Sequence, residues 1–153
     1  MPHACAFATS GVIGNELFIA GGRGAGDRPL STLQIYDFTT RMWRLGPTLP
    51  HAVYGAWGVV VGDGKLYLVR RPGSVFHMLV YDVQSNTWSN QLKPPYQGAG
   101  VNVTYAFAHK GRIVAVHTNG CAFQRGVGSD WSEFDLDMAP GITRGVAASI
   151  LFG

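Results

Sequence analysis

Leu33-Gln34-Ile35-Tyr36-Asp37-Phe38-Thr39-Thr40-Arg41-Met42-Trp43 and Leu79-Val80-Tyr81-Asp82-Val83-Gln84-Ser85-Asn86-Thr87-Trp88 decide the fold of this 153-residue chain. Tyr, Asp and Trp recur in them at one internal spacing, 45 residues apart, and Trp131 follows Trp88 by 43. Upstream of each lies a short apolar run: Glu16-Leu17-Phe18-Ile19-Ala20, Lys65-Leu66-Tyr67-Leu68-Val69 and Arg112-Ile113-Val114-Ala115-Val116. A turn precedes each run, at Gly14-Asn15, Asp63-Gly64 and Lys110-Gly111. Such pairs between apolar runs signal a hairpin, because type I′ turns need positive φ. Each unit ends on Pro: Leu49-Pro50, Pro94-Pro95 and Ala139-Pro140.

Each repeat therefore reads as four strands. The first is rich in small residues (Ala4 to Ile13, Gly55 to Val61), the second is apolar, the third carries Tyr-Asp and the fourth carries Trp. Four strands repeated at this period are blades of a β-propeller. Strands nearest a propeller axis are crowded, and Gly and Ala fit there. The expected fold is all-β: four-stranded antiparallel blades in an incomplete ring.

On these residues the chain resembles the kelch-repeat family, whose pattern is a double Gly ending the second strand, then Tyr-Asp, then Trp. Gly21-Gly22, Tyr36-Asp37 and Trp43 match it in the first repeat. The second keeps Tyr81, Asp82 and Trp88 but has Arg70-Arg71 for the Gly pair. The third is degenerate, with His117-Thr118 and Phe123-Gln124 in place of both motifs and Trp131 retained. The repeats divide the chain into residues 1–48, 49–93 and 94–138, with 139–153 as the first strand of a truncated fourth. Met1-Pro2-His3-Ala4 aligns with Leu49-Pro50-His51-Ala52. Propellers need about four to eight blades to close. The expectation is a fragment of a longer protein, with self-association into a ring as the alternative source of further blades.

Composition agrees with the repeats. Gly occurs 21 times and charged residues make up 14%, which excludes a helical bundle, whose sequence is rich in Ala, Glu and Lys. Aromatics at 12% exclude a disordered tail. The net charge of +3 comes from scattered basic residues, so no nucleic-acid partner is expected. No apolar run is long enough for a spanning helix, and no membrane partner is expected. The N-terminus has no basic residue before its apolar stretch and makes a poor signal peptide. Cys5 and Cys121 read as buried free thiols, which favours a reducing compartment, the cytoplasm or nucleus.

Sites of chemistry are scarce. Gly21-Gly22-Arg23-Gly24-Ala25-Gly26-Asp27-Arg28 lacks both the last Gly of a dinucleotide loop and the Gly-Lys-Ser/Thr of a triphosphate loop. It reads as a flexible connection. His3, His51, His77, His109 and His117 show no metal-ligand spacing. His3 and His51 are equivalent by repeat and share a structural role. Tyr36-Asp37 and Tyr81-Asp82 read as packing and turn-capping residues. Trp43, Trp88 and Trp131 read as packing between blades. Trp57 breaks the repeat and packs locally or faces an opening. Glu133, Asp135 and Asp137 read as a solvated edge. No catalytic residue, metal or cofactor is expected.

The resemblance implies a module that binds a protein partner through loops at one face. The candidates follow the second strand of each repeat: Arg23 and Arg28, Arg70 and Arg71, and His117 and Asn119 in the third. Arg70-Arg71 adds a bidentate reader of carboxylate or phosphate. The family also implies a ubiquitin-ligase adaptor, in which such repeats follow an F-box or BTB domain. The alternatives are a galactose oxidase-like copper enzyme or another propeller handling a small molecule at its axis.

Overall fold

The computed structural model describes residues 1–69, 78–91, 103–117, 122–126 and 128–134. These form three four-stranded antiparallel sheets, each a meander in chain order. The first holds β1 (Thr9–Ile13), β2 (Glu16–Ala20), β3 (Leu33–Asp37) and β4 (Met42–Leu45). The second holds β5 (Trp57–Val60), β6 (Lys65–Val69), β7 (Met78–Asp82) and β8 (Thr87–Gln91). The third holds β9 (Val103–His109), β10 (Arg112–His117), β11 (Ala122–Gly126) and β12 (Ser132–Phe134). Among the described residues there is no α-helix and no closed ring. Residues 139–153, the expected start of a fourth repeat, lie outside them.

The hairpin turns differ in type. Lys110 and Gly111 both take positive φ, as type I′ demands. At Gly14-Asn15 only the Gly does, so this two-residue turn is not type I′. Asp63-Gly64 belongs to a longer loop, since Val60 is the last paired residue of β5 and faces Leu66. The turns from third to fourth strand share one design. Asp37 Oδ1 accepts from the amides of Thr39 and Thr40, at 2.7 and 3.2 Å, and Asp82 Oδ1 accepts from the Ser85 amide at 3.1 Å. These amide donors hold both carboxyls below their usual range, with Lys65 helping at Asp82.

The second sheet is buried on both faces, and strand alternation assigns its side chains. Leu66, Leu68, Leu79 and Tyr81 face the first sheet and pack with Phe18, Ala20, Leu33 and Ile35. Tyr67, Val69, Met78 and Val80 face the third sheet and pack with Val103, Ala106, Ile113 and Ala115. Continuous apolar runs in β6 and β7 follow from this double burial. The first strands lie side by side: a Cβ on Gly58 would stand 2.3 Å from Ser10 O, and Thr9 Oγ1 donates to Ala56 O at 2.9 Å. Gly58 is therefore a close-approach residue.

The three repeat tryptophans have different surroundings. Trp88 joins two blades: its ring lies 5.1 Å from Tyr81, and its Nε1–H donates to Pro47 O of the preceding repeat at 3.0 Å. Trp131 packs against the core between second and third sheets. Trp43 stacks on Tyr36 at 5.0 Å on the outer face of the first sheet, where no described sheet follows. Among the described residues the ring contact printed for Trp43 is thus within its own sheet.

Candidate functional site

The pairs Thr9↔Ala20, Trp57↔Val69 and Val103↔His117 stand at the same end of their sheets. This rim gathers the starts of the first strands and the ends of the second. In the first repeat, β2 leaves the sheet through Gly21 and Gly22, both left-handed. A Cβ on Gly21 would sit 2.1 Å from Val53 O, and one on Gly22 would sit 2.8 Å from Ala6 O. No larger residue fits this crossing.

The loop beyond is fastened, which corrects its reading as a flexible connection. Gly21 N donates to Thr32 O at 2.8 Å and Gly22 N to Val53 O at 2.7 Å. Arg23 and Ala6 exchange both backbone hydrogen bonds, at 2.7 and 2.9 Å. The Gly pair thus ties the N-terminal segment, the loop and the lead into the second sheet at one point. A single 3-10 turn, Ala25–Asp27, follows, and no α-helix is there to hold a phosphate.

Arg23 is held by two neighbouring side chains. Its guanidinium lies over the Tyr54 ring, 4.0 Å from the centroid, and pairs with Asp27. Asp27 first, then the Tyr54 hydroxyl, raise its pKa, so it stays cationic. Its Nε is buried without a partner. Stacking holds the charge in one place while leaving part of the side chain open. Arg28 is exposed on the same loop.

His117 departs from its expected place on a loop. It is the last residue of β10, 5% exposed, with its ring edge-on to Phe123 at 5.3 Å. Both ring nitrogens are buried without hydrogen-bond partners, and burial lowers the pKa. The imidazole is therefore neutral and does not act as a surface charge. Arg70, Arg71 and Asn119 lie outside the described residues.

Three aromatic residues that the sequence reading passed over complete the rim. Tyr54 supports Arg23. Tyr105 packs on Trp57 at 5.3 Å, and the Trp57 Nε1–H is buried without a partner. Phe7 is 72% exposed at φ 54, and its carbonyl accepts from the Gly55 amide at 2.9 Å. Register would have exposed Phe7: extending the match of Met1 to Leu49 sets it opposite Gly55, which is left-handed too, at φ 62. A bulky exposed aromatic where the neighbouring repeat uses Gly is a strained placement, and such strain concentrates at functional positions.

Among the described residues no group of three or more His, Cys, Asp or Glu is arranged to hold a metal ion. No helix among them is long and apolar enough to cross a membrane. The opposite rim carries paired charges, Arg44 with Glu16 at 2.6 Å and Lys65 with Asp82 at 3.4 Å.

The Kelch motif family matches residues 4–50. The chain is 32% identical over 85 residues to an Arabidopsis thaliana protein named F-box/kelch-repeat protein, covering 56% of this chain and 32% of that one. It is 34% identical over 68 residues to human Kelch-like protein 34, covering 44% of this chain and 11% of that one. It therefore spans about a third or less of each relative's length.

Proposed function

We propose that this chain, which is a kelch-repeat chain, serves as a non-catalytic protein-interaction module whose contact surface is the rim carrying Phe7, Arg23 and Tyr54. The observation that carries this reading is Phe7. A phenylalanine held left-handed and mostly exposed contributes little to the core. Beside it stands an arginine immobilised on a tyrosine ring. Aromatic residues and Arg, pre-positioned at small entropic cost, dominate protein-binding hot spots. The neutral, buried His117 belongs to the wall of the rim and not to its charged surface. Within this reading the partner is a protein, and the parent protein resides in the cytoplasm or nucleus. The relative named for an F-box supports a further step, that the chain is the substrate-recognition part of a ubiquitin-ligase adaptor.

The test is affinity capture with three baits: the natural chain, Phe7→Gly combined with Arg23→Ala, and the opposite-rim variant Arg44→Ala. Partners captured by the first and third baits but lost from the second support the rim. Equal capture by all three, with each bait folded by circular dichroism, refutes it.

A further inference from the structure

We infer that the rim end of the space between the second and third sheets is a binding site for an uncharged primary amide, held by the Trp57 indole N–H and the His117 imidazole. Among the described residues six buried polar side-chain atoms have no hydrogen-bond partner, and three of them are Trp57 Nε1, His117 Nδ1 and His117 Nε2. Strand alternation places these three in one space. Trp57 shares a side of β5 with Val59, and His117 shares a side of β10 with Ile113 and Ala115. Val59, Ile113 and Ala115 all belong to the core between the two sheets. Val103 ties the two ends together: it is the strand partner of His117 and part of the core that Trp57 packs against.

Burial grades outward along this space. His117 is 5% exposed, whereas Trp57 and Tyr105, in ring contact at 5.3 Å, are half-buried. A ligand enters past the aromatic pair and reaches the imidazole below it. The pairing of β9 with β10 shifts register between Val116 and His117, and such irregularities re-aim side chains beside sites. The preceding interface supplies an internal comparison. Thr9 pairs with Ala20 as Trp57 pairs with Val69, yet its hydroxyl is used within the molecule, donating to Ala56 O at 2.9 Å. The unused donors and acceptor belong to the second interface, not to the blade design.

The inventory of groups selects the ligand. An indole N–H only donates. Burial lowers the His117 pKa, so the ring is neutral, with one N–H donor and one lone-pair acceptor. The occupant must therefore accept at Trp57 and both accept and donate near His117. A primary amide does so, its oxygen accepting and its NH2 donating. A carboxylate leaves the imidazole lone pair facing negative charge. The described cations of these two sheets, Lys65, Lys110, Arg112 and Arg125, stand at the opposite end, so a buried anion here has no described counter-charge. The site uses neither Phe7 nor Arg23 and stands apart from the interaction surface proposed above.

The test titrates the 15N-labelled natural chain with acetamide at neutral pH. The Trp57 indole N–H and the His117 ring nitrogens are read by NMR, assigned through Trp57→Phe and His117→Phe. The expected result is a saturable shift of both residues on one binding curve, lost in each variant. N,N-dimethylacetamide, which cannot donate, is expected to bind more weakly, and this comparison needs no variant to fold. The combined Phe7→Gly, Arg23→Ala chain is expected to keep the response, so this site and the interaction surface fail separately. N-acetylglutamine N-methylamide binding more tightly than acetamide, with N-acetylalanine N-methylamide inactive, names a polypeptide side chain as the source. The reverse order names a free small amide, and either order supports the site. The absence of any saturable shift, the outcome for groups served by internal water alone, overturns the inference. A response to acetate and none to acetamide overturns it as well.

Discussion

Replacing Phe7 by Gly and, separately, by Ala is expected to reverse the usual order of stability. At an ordinary position Gly is worse than Ala by about 0.5–1 kcal/mol, because it loses more backbone freedom on folding. Phe7 sits at φ 54, where any L side chain costs about 1–2 kcal/mol. Ala keeps that cost and Gly removes it. At mid-range the two terms leave Gly more stable than Ala by about 0.75 kcal/mol. Both variants lose the same aromatic contacts, so those cancel in the comparison. A residue 72% exposed retains little packing, and Phe7→Gly is expected within about 1.5 kcal/mol of the natural chain. Truncating a core Phe costs about 3–5 kcal/mol by contrast. Denaturant midpoints of the three chains, compared at equal slope, read these differences directly. An alanine variant as stable as the glycine variant, or more so, would refute the strain. Partner capture retained by the glycine variant would leave the strain standing but remove Phe7 from the binding rim.

Gly58→Ala is expected to cost at least about 2 kcal/mol in a denaturant titration, because its Cβ would meet the Ser10 carbonyl and part the first strands of two sheets. Trp88→Phe is expected to cost about 1 kcal/mol through the lost hydrogen bond to Pro47 O, while the ring contact with Tyr81 stays. His117 links stability to pH. Its folded pKa is lowered, so the unfolded chain takes up the proton first, near pH 6.5. Stability is full above that value and falls as pH drops from there to the folded pKa. His117→Leu is expected to flatten this limb of a stability–pH profile, and an unchanged limb would place the titration elsewhere.

Much of the blade architecture was legible because period and turn chemistry are local signals. Tyr36-Asp37 with Trp43, repeated at Tyr81-Asp82 with Trp88, marks third and fourth strands through side chains that serve their own turns. The candidate site was legible only in part. Arg23 was found because it follows the Gly pair at the end of β2. Tyr54 and Phe7 were passed over because they belong to segments that reach the rim only through backbone hydrogen bonds to distant residues, Arg23 N to Ala6 O and Gly55 N to Phe7 O. His117 was misplaced because the third repeat has lost its Gly pair, and nothing local says where β10 stops.

Repetition along the chain settles that these residues form four-stranded blades, since hydrophobic alternation and turn residues act between neighbours. Which face of each blade is covered depends on what the chain brings against it from far away. Trp43 and Trp88 have the same local sequence role and the same stack on Tyr, yet one is capped by Pro47 O and the other looks outward. The left-handed Phe7 is decided in the same way: its own side chain disfavours that conformation, and the contacts with Arg23 and Gly55 impose it. Local sequence sets the unit, and long-range packing and hydrogen bonding set where its surfaces are open for use.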